Sequence, residues 1–592
     1  IGASVASNVL TRNTQAVVGN QHNENTPGTL GTIDSSGAAK IIASNEGFIG
    51  SYALAGSSSA PKKTPKPDEG SMPSSNASGD SSSNSGNDMT WVDSPMLKSL
   101  NKSKALNGSG EASSAASGTT EPAGAVKTSG WGIAGSVTVN SIEDNARAYI
   151  HDLAHFKVAG DVTLSAINDT DINSVSGSVA LAEGSNGGSG RSIAGAVGVN
   201  NLWGSTEAII DNVASLHTAA LDIDAKHDGV VVAISAGAGI ARGREGVSIA
   251  GSVSVNLTDY DVKTGLKNIG DSQEGTVDAV LGAVDLLAKD TTTLVMVAGA
   301  VSFGGKVGIG AGVGFASIEN TIDSTVENVE SMTSSDIAVK AESGVGVVAV
   351  SGAGGFARGV SGFGVAGTFA MTDLSNTVTA QILGSHVQQA NGDVEISAAD
   401  NSYAFALSGS VAYGKTLGLG VAVALNHYNN TINARIDGTY IRSTGSLKVK
   451  AEENGWSSTA AVGGAGAQKI AVAGGVSVTE TNNVVGAFIQ NKSDIVVGDE
   501  LLVQAWDKTT AVNVAGGLSF SAKGALGASV GVNLQENTVT ANIDSSDVAA
   551  GSIGVVINAL AESAMVSVAV GGVGAGKLAI GGSVSINDVK NT

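Results

Sequence analysis

LGASVGVN, at Leu526–Asn533, is the phrase from which the rest of the chain can be read. Large and tiny side chains alternate and end in asparagine. The same phrase stands at Ile1–Asn8 (IGASVASN), Ile133–Asn140 (IAGSVTVN), Ile193–Asn200 (IAGAVGVN) and Ile249–Asn256 (IAGSVSVN). It continues at Ile309–Ala316, Val365–Thr372, Leu419–Asn426, Val472–Thr479 and Ile580–Asn587. From Asn140 onward the steps are 60, 56, 60, 56, 54, 53, 54 and 54 residues. A near-fixed period is the signature of a solenoid, which grows in length without enlarging its core.

The last full repeat shows the grammar. LGASVGVN is a leading strand and LQEN a turn. TVTANID (Thr538–Asp544) is a second strand, SSDVAAGS a corner and IGVVINALA (Ile553–Ala561) a third strand. After a short corner, MVSVAVGGVGA (Met565–Ala575) is a return strand whose GKL tip leads into the next repeat. Period-2 alternation with Gly, Ser, Asn and Asp at the corners predicts β-strands throughout. All seven prolines (Pro27, Pro61, Pro65, Pro67, Pro73, Pro95 and Pro122) precede residue 123. Proline cannot donate to a sheet ladder, so the proline-free remainder suits continuous sheet.

The expected fold is an all-β, repetitive β-solenoid, a right-handed parallel β-helix with about two coils per 53–60-residue repeat. Two coils of about 27 residues each imply about 19 coils and a rod of roughly 90 Å at the ~4.8 Å strand spacing. A competing arrangement joins the return strand to the next leading strand as an antiparallel hairpin. Residues 1–55 read as a first repeat, residues 56–129 as a flexible Ser/Pro/Lys-rich insertion, and residues 130–592 as about eight tandem repeats. The insertion is too polar to offset its ordering entropy. Its apolar middle, Met89–Leu100, carries Trp91, a candidate for docking back. The chain begins and ends inside repeats, and is expected to be a fragment of a longer protein.

Composition narrows the functional classes. The 592 residues include 82 Gly, no Cys, only 14% charged and 4% aromatic residues, with a net charge of −21. Such acidity argues against nucleic acid as partner. Without cysteine there is neither a disulfide framework nor a thiolate metal site. Every apolar run is broken by Gly or a charge, so no transmembrane segment is expected. Few aromatics remain for the girdles of an outer-membrane barrel. The seven histidines are scattered, and His151 and His155 are too far apart along a strand for easy chelation. No acid/base pair, P-loop or dinucleotide fingerprint stands out. Neither enzymatic activity nor a cofactor is expected.

Three recurring features remain. Asn140, Asn200, Asn256, Asn426, Asn533 and Asn587 end leading strands, as does Asn8. A second set follows at Asn320, Asn376, Asn430, Asn483, Asn537 and Asn591. Stacked amides can hydrogen-bond along the axis as a ladder, and asparagine tolerates tight corners. Just before the leading strands lie Arg191, Arg244, Lys306, Arg358, Lys415, Lys469, Lys523 and Lys577, one cation per tip. They read as gatekeepers against aggregation or as a ladder for acidic surfaces, with Asp211, Glu327, Asp437 and Asp544 as partial complements. Finally, Ile193, Gly195, Val197 and Val199 share one strand face, and Ala194, Ala196 and Gly198 the other. Both faces are apolar, so cover is expected on both.

The phrases AGDVTLSA (Ala159–Ala166), NGDVEISA (Asn391–Ala398) and TGSLKVKA (Thr444–Ala451) resemble those of filamentous haemagglutinin-type adhesins. The whole unit is similar to the repeat of leukotoxin-type filamentous adhesins, over residues 1–55 and 130–592. The resemblance implies the shaft of a giant bacterial protein, extracellular or on the cell surface, exported through an outer-membrane pore and used in attachment. Self-association, cell-surface glycans and other surface proteins are the expected partners. The alternative is a self-assembling sheath or matrix filament built by end-to-end or lateral packing.

Overall fold

The computed structural model describes residues 1–19, 31–60, 128–184, 188–270 and 279–592. All its regular elements are β-strands, and they pair in parallel into one continuous sheet wound as a solenoid.

The pitch differs from expectation. Each leading strand pairs with the leading strand of the next repeat. Gly2 meets Ala134, Ile133 meets Ile193, and Ile193 meets Ile249. Higher up, Val307 meets Phe363, Phe363 meets Leu417, Leu417 meets Ile470, and Gly524 meets Leu578. A repeat is therefore one coil, not two. Ten leading strands stack over nine steps, roughly 43 Å at the usual strand spacing. The stack is half as tall as the sequence suggests, and each coil is twice as long.

The first coil obeys the same register, although its step from Gly2 to Ala134 is 132 residues. Its return strand runs to Ser59, pairing Gly56–Ser59 with Val179–Ala182, so this repeat extends four residues past its expected end. Residues 61–127, with Trp91, lie outside the described residues.

One coil, residues 363–416, shows the cross-section. It runs Phe363–Leu374, Thr377–Leu383, His386–Ala390, Val394–Asp400 and Tyr403–Gly414. The corner expected after the second strand holds a short strand of its own. The three middle strands enclose a lobe filled by Ile382, Val387, Ile396, Ile436, Val449 and their equivalents in other coils. Outward positions there are mixed and charged, as in Lys448, Lys450 and Glu452. This is ordinary sheet amphipathicity, with apolar residues inside and polar ones in water.

The leading and return strands form a flat arm. They run in opposite directions but are not a hairpin, because their backbone groups bond to the coils above and below. They meet face to face. The contact is lined by Ala134, Ala180, Ala194, Ala250 and Ala300, and further up by Ala353, Ala366 and Ala412. Glycines let the two backbones touch. A methyl on Gly420 would lie 2.1 Å from the Gly464 carbonyl oxygen, and one on Gly310 2.4 Å from that of Gly354. The layers are thus closer than the ~10 Å of ordinary sheet packing. At the waist, where arm meets lobe, larger residues fill the widening gap: Leu294, Met296, Ile318, Leu374 and Tyr428.

One corner is left-handed in every repeat that shows it. Asp152, Asn212, Asn268, Asn328, Gly384, Gly438, Asn491 and Ser545 have φ between 51° and 58°. Gly adopts this region freely and Asn or Asp tolerates it. Neighbouring corners are laced together, with Asn212 Nδ2 donating to Asp152 Oδ1 at 2.6 Å and Asn328 Nδ2 to Asn268 Oδ1 at 3.1 Å.

Candidate functional surfaces and the buried polar column

The first asparagine set lies on the inner side of the arm near the waist. Asn8 Nδ2 donates to Asn140 Oδ1 at 3.0 Å, Asn140 to Asn200 at 2.6 Å and Asn200 to Asn256 at 2.5 Å. Ala316 interrupts the column. Above it, Thr372 Oγ1 donates to Asn426, whose amide turns to the carbonyls of Ala404 and Ser458. Asn533 donates to Asn587 at 2.9 Å. Asn256 Nδ2, below Ala316, and Asn533 Oδ1 have no hydrogen-bond partner among the described residues.

The second set is wired differently. Its side chains do not bond amide to amide. Asn430 Oδ1 accepts from the backbone N–H of Asn376 at 2.9 Å, Asn483 Oδ1 from that of Asn430 at 3.1 Å, and Asn537 Oδ1 from that of Asn483 at 3.0 Å. Each carbonyl thus caps a corner N–H one coil below, which the interrupted ladder leaves without a strand partner. The side-chain amides are then free to point inward, and they reach a column that sequence reasoning missed.

That column is Asn45, Asn168, His227, Asp290, Ser343, Asp400, Glu453 and Asp507, one residue per coil in parallel register. All are buried. Alternation held the signal. Ala288, Ala398 and Ala505 are core residues, and Asp290, Asp400 and Asp507 lie two positions on, hence on the same inward face. Reading these acids as corner residues hid their direction.

The lower part of the column holds one acid, Asp290, and partners surround it. Asp290 Oδ1 lies 3.3 Å from His227 Nδ1 and accepts from Thr292 N at 2.9 Å and Oγ1 at 2.7 Å. His227 stacks on Tyr260 with ring centres 3.7 Å apart. Burial pushes the Asp290 carboxyl upward, but His227 and Thr292 outweigh it and hold it below the ordinary value.

The upper part carries three acids in successive coils. Asp400 is bonded by Ser402 and by Asn430 Nδ2. Asp507 is bonded by Thr509 at 2.6 Å and by Asn537 Nδ2. Glu453 Oε1 accepts from the Tyr428 hydroxyl at 2.9 Å, and its Oε2 meets no partner among the described residues. Burial pushes Asp400 up to about 6. Burial, then the Asp400 and Asp507 charges, push Glu453 well up, and burial raises Asp507. Like charges one coil apart in a dry interior cannot all ionise.

The eight side chains of this column are all buried among the described residues. Among the described residues no group of three or more His, Asp or Glu side chains could hold a metal ion. No helix of the described residues is long and apolar enough to cross a membrane. A surface groove lies beside the stacked rings of Phe303 and Phe356, with Arg242 and Arg358 at its rim.

The cations follow the free edge of the arm. Arg191 sits within the leading strand and covers the Trp131 ring at 4.9 Å. Lys306 pairs with Glu245 at 2.7 Å, while Arg244 and Arg358 are exposed at their tips. Lys415, Lys469, Lys523 and Lys577 occupy successive tips. Lys469 N bonds to Lys415 O at 3.2 Å, and Lys577 N to Lys523 O at 3.1 Å. The proposed complements Asp211, Glu327, Asp437 and Asp544 lie at the far corner of the lobe. Within one chain the two sets do not meet.

The apolar strand faces are sorted against custom. Ala194 and Ala196 are buried, and Ile193 is 40% exposed. Along the leading strands the small residues face in and the bulky ones face out. Among the described residues only the inner face is covered. Comparison with family models, with curated proteins and with solved structures found no match to this chain.

Proposed function

We propose that the chain is part of the shaft of a giant filamentous adhesin, extracellular or on the cell surface, whose work is mechanical. The observation that carries this reading is the coil-to-coil register, which the leading strands keep over nine steps. Every coil covers the edge of its neighbour, so the stack extends without a new core at each step. Its acids are buried inside or solvated outside, which suits projection and contact rather than catalysis. The resemblance to filamentous adhesins supplies the setting. Electron cryo-microscopy of native material, with antibody labelling of intact cells, tests the proposal. Labelled projections with a ~4.8 Å axial repeat support it. Label only inside broken cells overturns it.

A second reading is a self-assembling filament. It is favoured by the bulky apolar side chains on the outer faces of the arm, since large exposed apolar patches mark contacts.

A further inference from the structure

We infer that the outer face of the leading strands is a self-complementary docking surface for a second copy of this chain, the two coil stacks lying parallel about a two-fold along their axis. The inference deepens the second reading by naming its surface and its geometry.

Three observations carry it. The first is the sorting of side chains. In the coil that starts at Leu417, the outward residues are Leu417, Leu419, Val421, Val423 and Leu425. Bulk that would normally fill a core faces water, and Val421 is 37% exposed, Ile470 52% and Leu526 40%. The second is size. A ten-residue span of about 33 Å across nine coil steps gives a flat patch of about 1,400 Å², above the ~800 Å² per partner of a stable interface.

The third is charge. The patch has a cationic edge at the tips, with Lys415, Lys469 and Lys523. Its opposite edge, at the waist, is mostly acidic, with His427 4.0 Å from Glu480 and Lys590 in register beside Glu536. Glu480 follows Val478 on the outward side, Glu536 follows Leu534, and Glu319 stands at the corresponding place lower down. The lysines Lys469 and Lys523, and the acids Glu319 and Glu536, make no ion pair among the described residues. The unpaired cations of one edge match the unpaired acids of the other. A two-fold along the stack axis reverses strand direction across the interface, so the tip row of one copy lies over the waist row of the other, twice. Isologous contact and complementary edges are what a symmetric pair requires.

The return-strand face provides the internal control. It is also apolar, with Val411, Leu518 and Phe520 exposed. At its waist end Tyr403, Trp456 and Thr510 stand beside Lys508, with Asp169, Asp171 and Asp228 lower down. In the coils of the upper lysine tips it offers a cation, Lys508, where the leading face offers Glu480 and Glu536.

The test is sedimentation velocity of the full 592-residue chain over a micromolar concentration series, with circular dichroism to confirm folding. Wild type is expected to dimerise. Val421→Lys, on the leading face, is expected to weaken the dimer at least about tenfold, and Val411→Lys, on the return face, to leave it unchanged. Two charge sets sharpen the result. Lys469→Glu with Lys523→Glu gives a chain acidic at both edges, and Glu480→Lys with Glu536→Lys gives one cationic at both. Each alone is expected to stay monomeric, and their mixture to dimerise, because both edges match again. A wild type that is monomeric throughout overturns the inference and leaves the shaft reading standing, since that reading is decided on intact cells. A dimer broken by Val411→Lys but not Val421→Lys, or a mixture no tighter than its components, also overturns it.

Discussion

Arm and lobe belong to the same coils, yet they solve the problem of a dry interior in opposite ways. The lobe fills its space with Ile, Val and Leu and shows water a charged surface. The arm brings backbone against backbone through Gly and Ala and sends its bulk outward. In the lobe, stability follows side-chain volume. In the arm it follows the absence of volume. The same substitution chemistry should therefore change sign between the two.

The sharpest way to break that contrast is to delete volume from the lobe. Ile436→Ala removes a fully buried side chain and is expected to cost about 2–5 kcal/mol through lost transfer energy and a residual cavity. Denaturant unfolding of the whole chain, with hydrogen exchange to localise the loss, measures it. The converse is to add volume to the arm. Gly420→Ala places one methyl against the Gly464 carbonyl, and about 1–3 kcal/mol of overpacking is expected. A neutral Gly420→Ala would mean that the two arm layers stand further apart than described.

A third experiment probes the seam, where the buried acids lie. Asp400 and Glu453 have folded-state values raised above those of the unfolded chain. Their contribution to stability is fully present below the unfolded value, about 4, and is lost as pH rises through the folded value, about 6 for Asp400 and likewise raised for Glu453. Asp290 is shifted the other way, so its contribution is present above the unfolded value and is lost only in stronger acid. The upper coils should accordingly be firmer at pH 5 than at pH 8. Glu453→Gln cannot ionise and is expected to add about 1–2 kcal/mol at pH 8 and progressively less toward pH 4. Thermal melts across pH check both signs, and a flat wild-type profile would refute them.

The smallest effect sharpens the comparison from outside. Val421→Thr, on the uncovered arm face, is expected to change the stability of an isolated chain by less than about 0.5 kcal/mol, and to matter only when that face is covered.

The strands were legible because alternation and corner residues agree in every repeat. The number of coils was not. A 54-residue period states where the pattern returns, not how often the chain turns before it does. A clue was present in the mismatch between the halves of a repeat. Pairing them would stack the Gly/Ala leading strand on the Ile/Val lobe strand, and parallel ladders favour like on like, as Val449 on Ile396 shows. The asparagines were visible as periodic letters, but whether an amide bonds to its own kind or to a backbone N–H depends on a broken ladder at the corner. The buried acids were visible as letters too. Their direction required counting by two from a core alanine.

One coil per repeat has a consequence for how such a protein can change length. Because Phe363 pairs with Leu417 and Leu417 with Ile470, excising residues 417–469 sets Phe363 directly under Ile470, with every later strand still in phase. Recombination between repeats therefore acts as a ruler with one graduation per coil, about 4.8 Å. A lineage can shorten or extend this structure by whole graduations while leaving the fold of the remainder untouched.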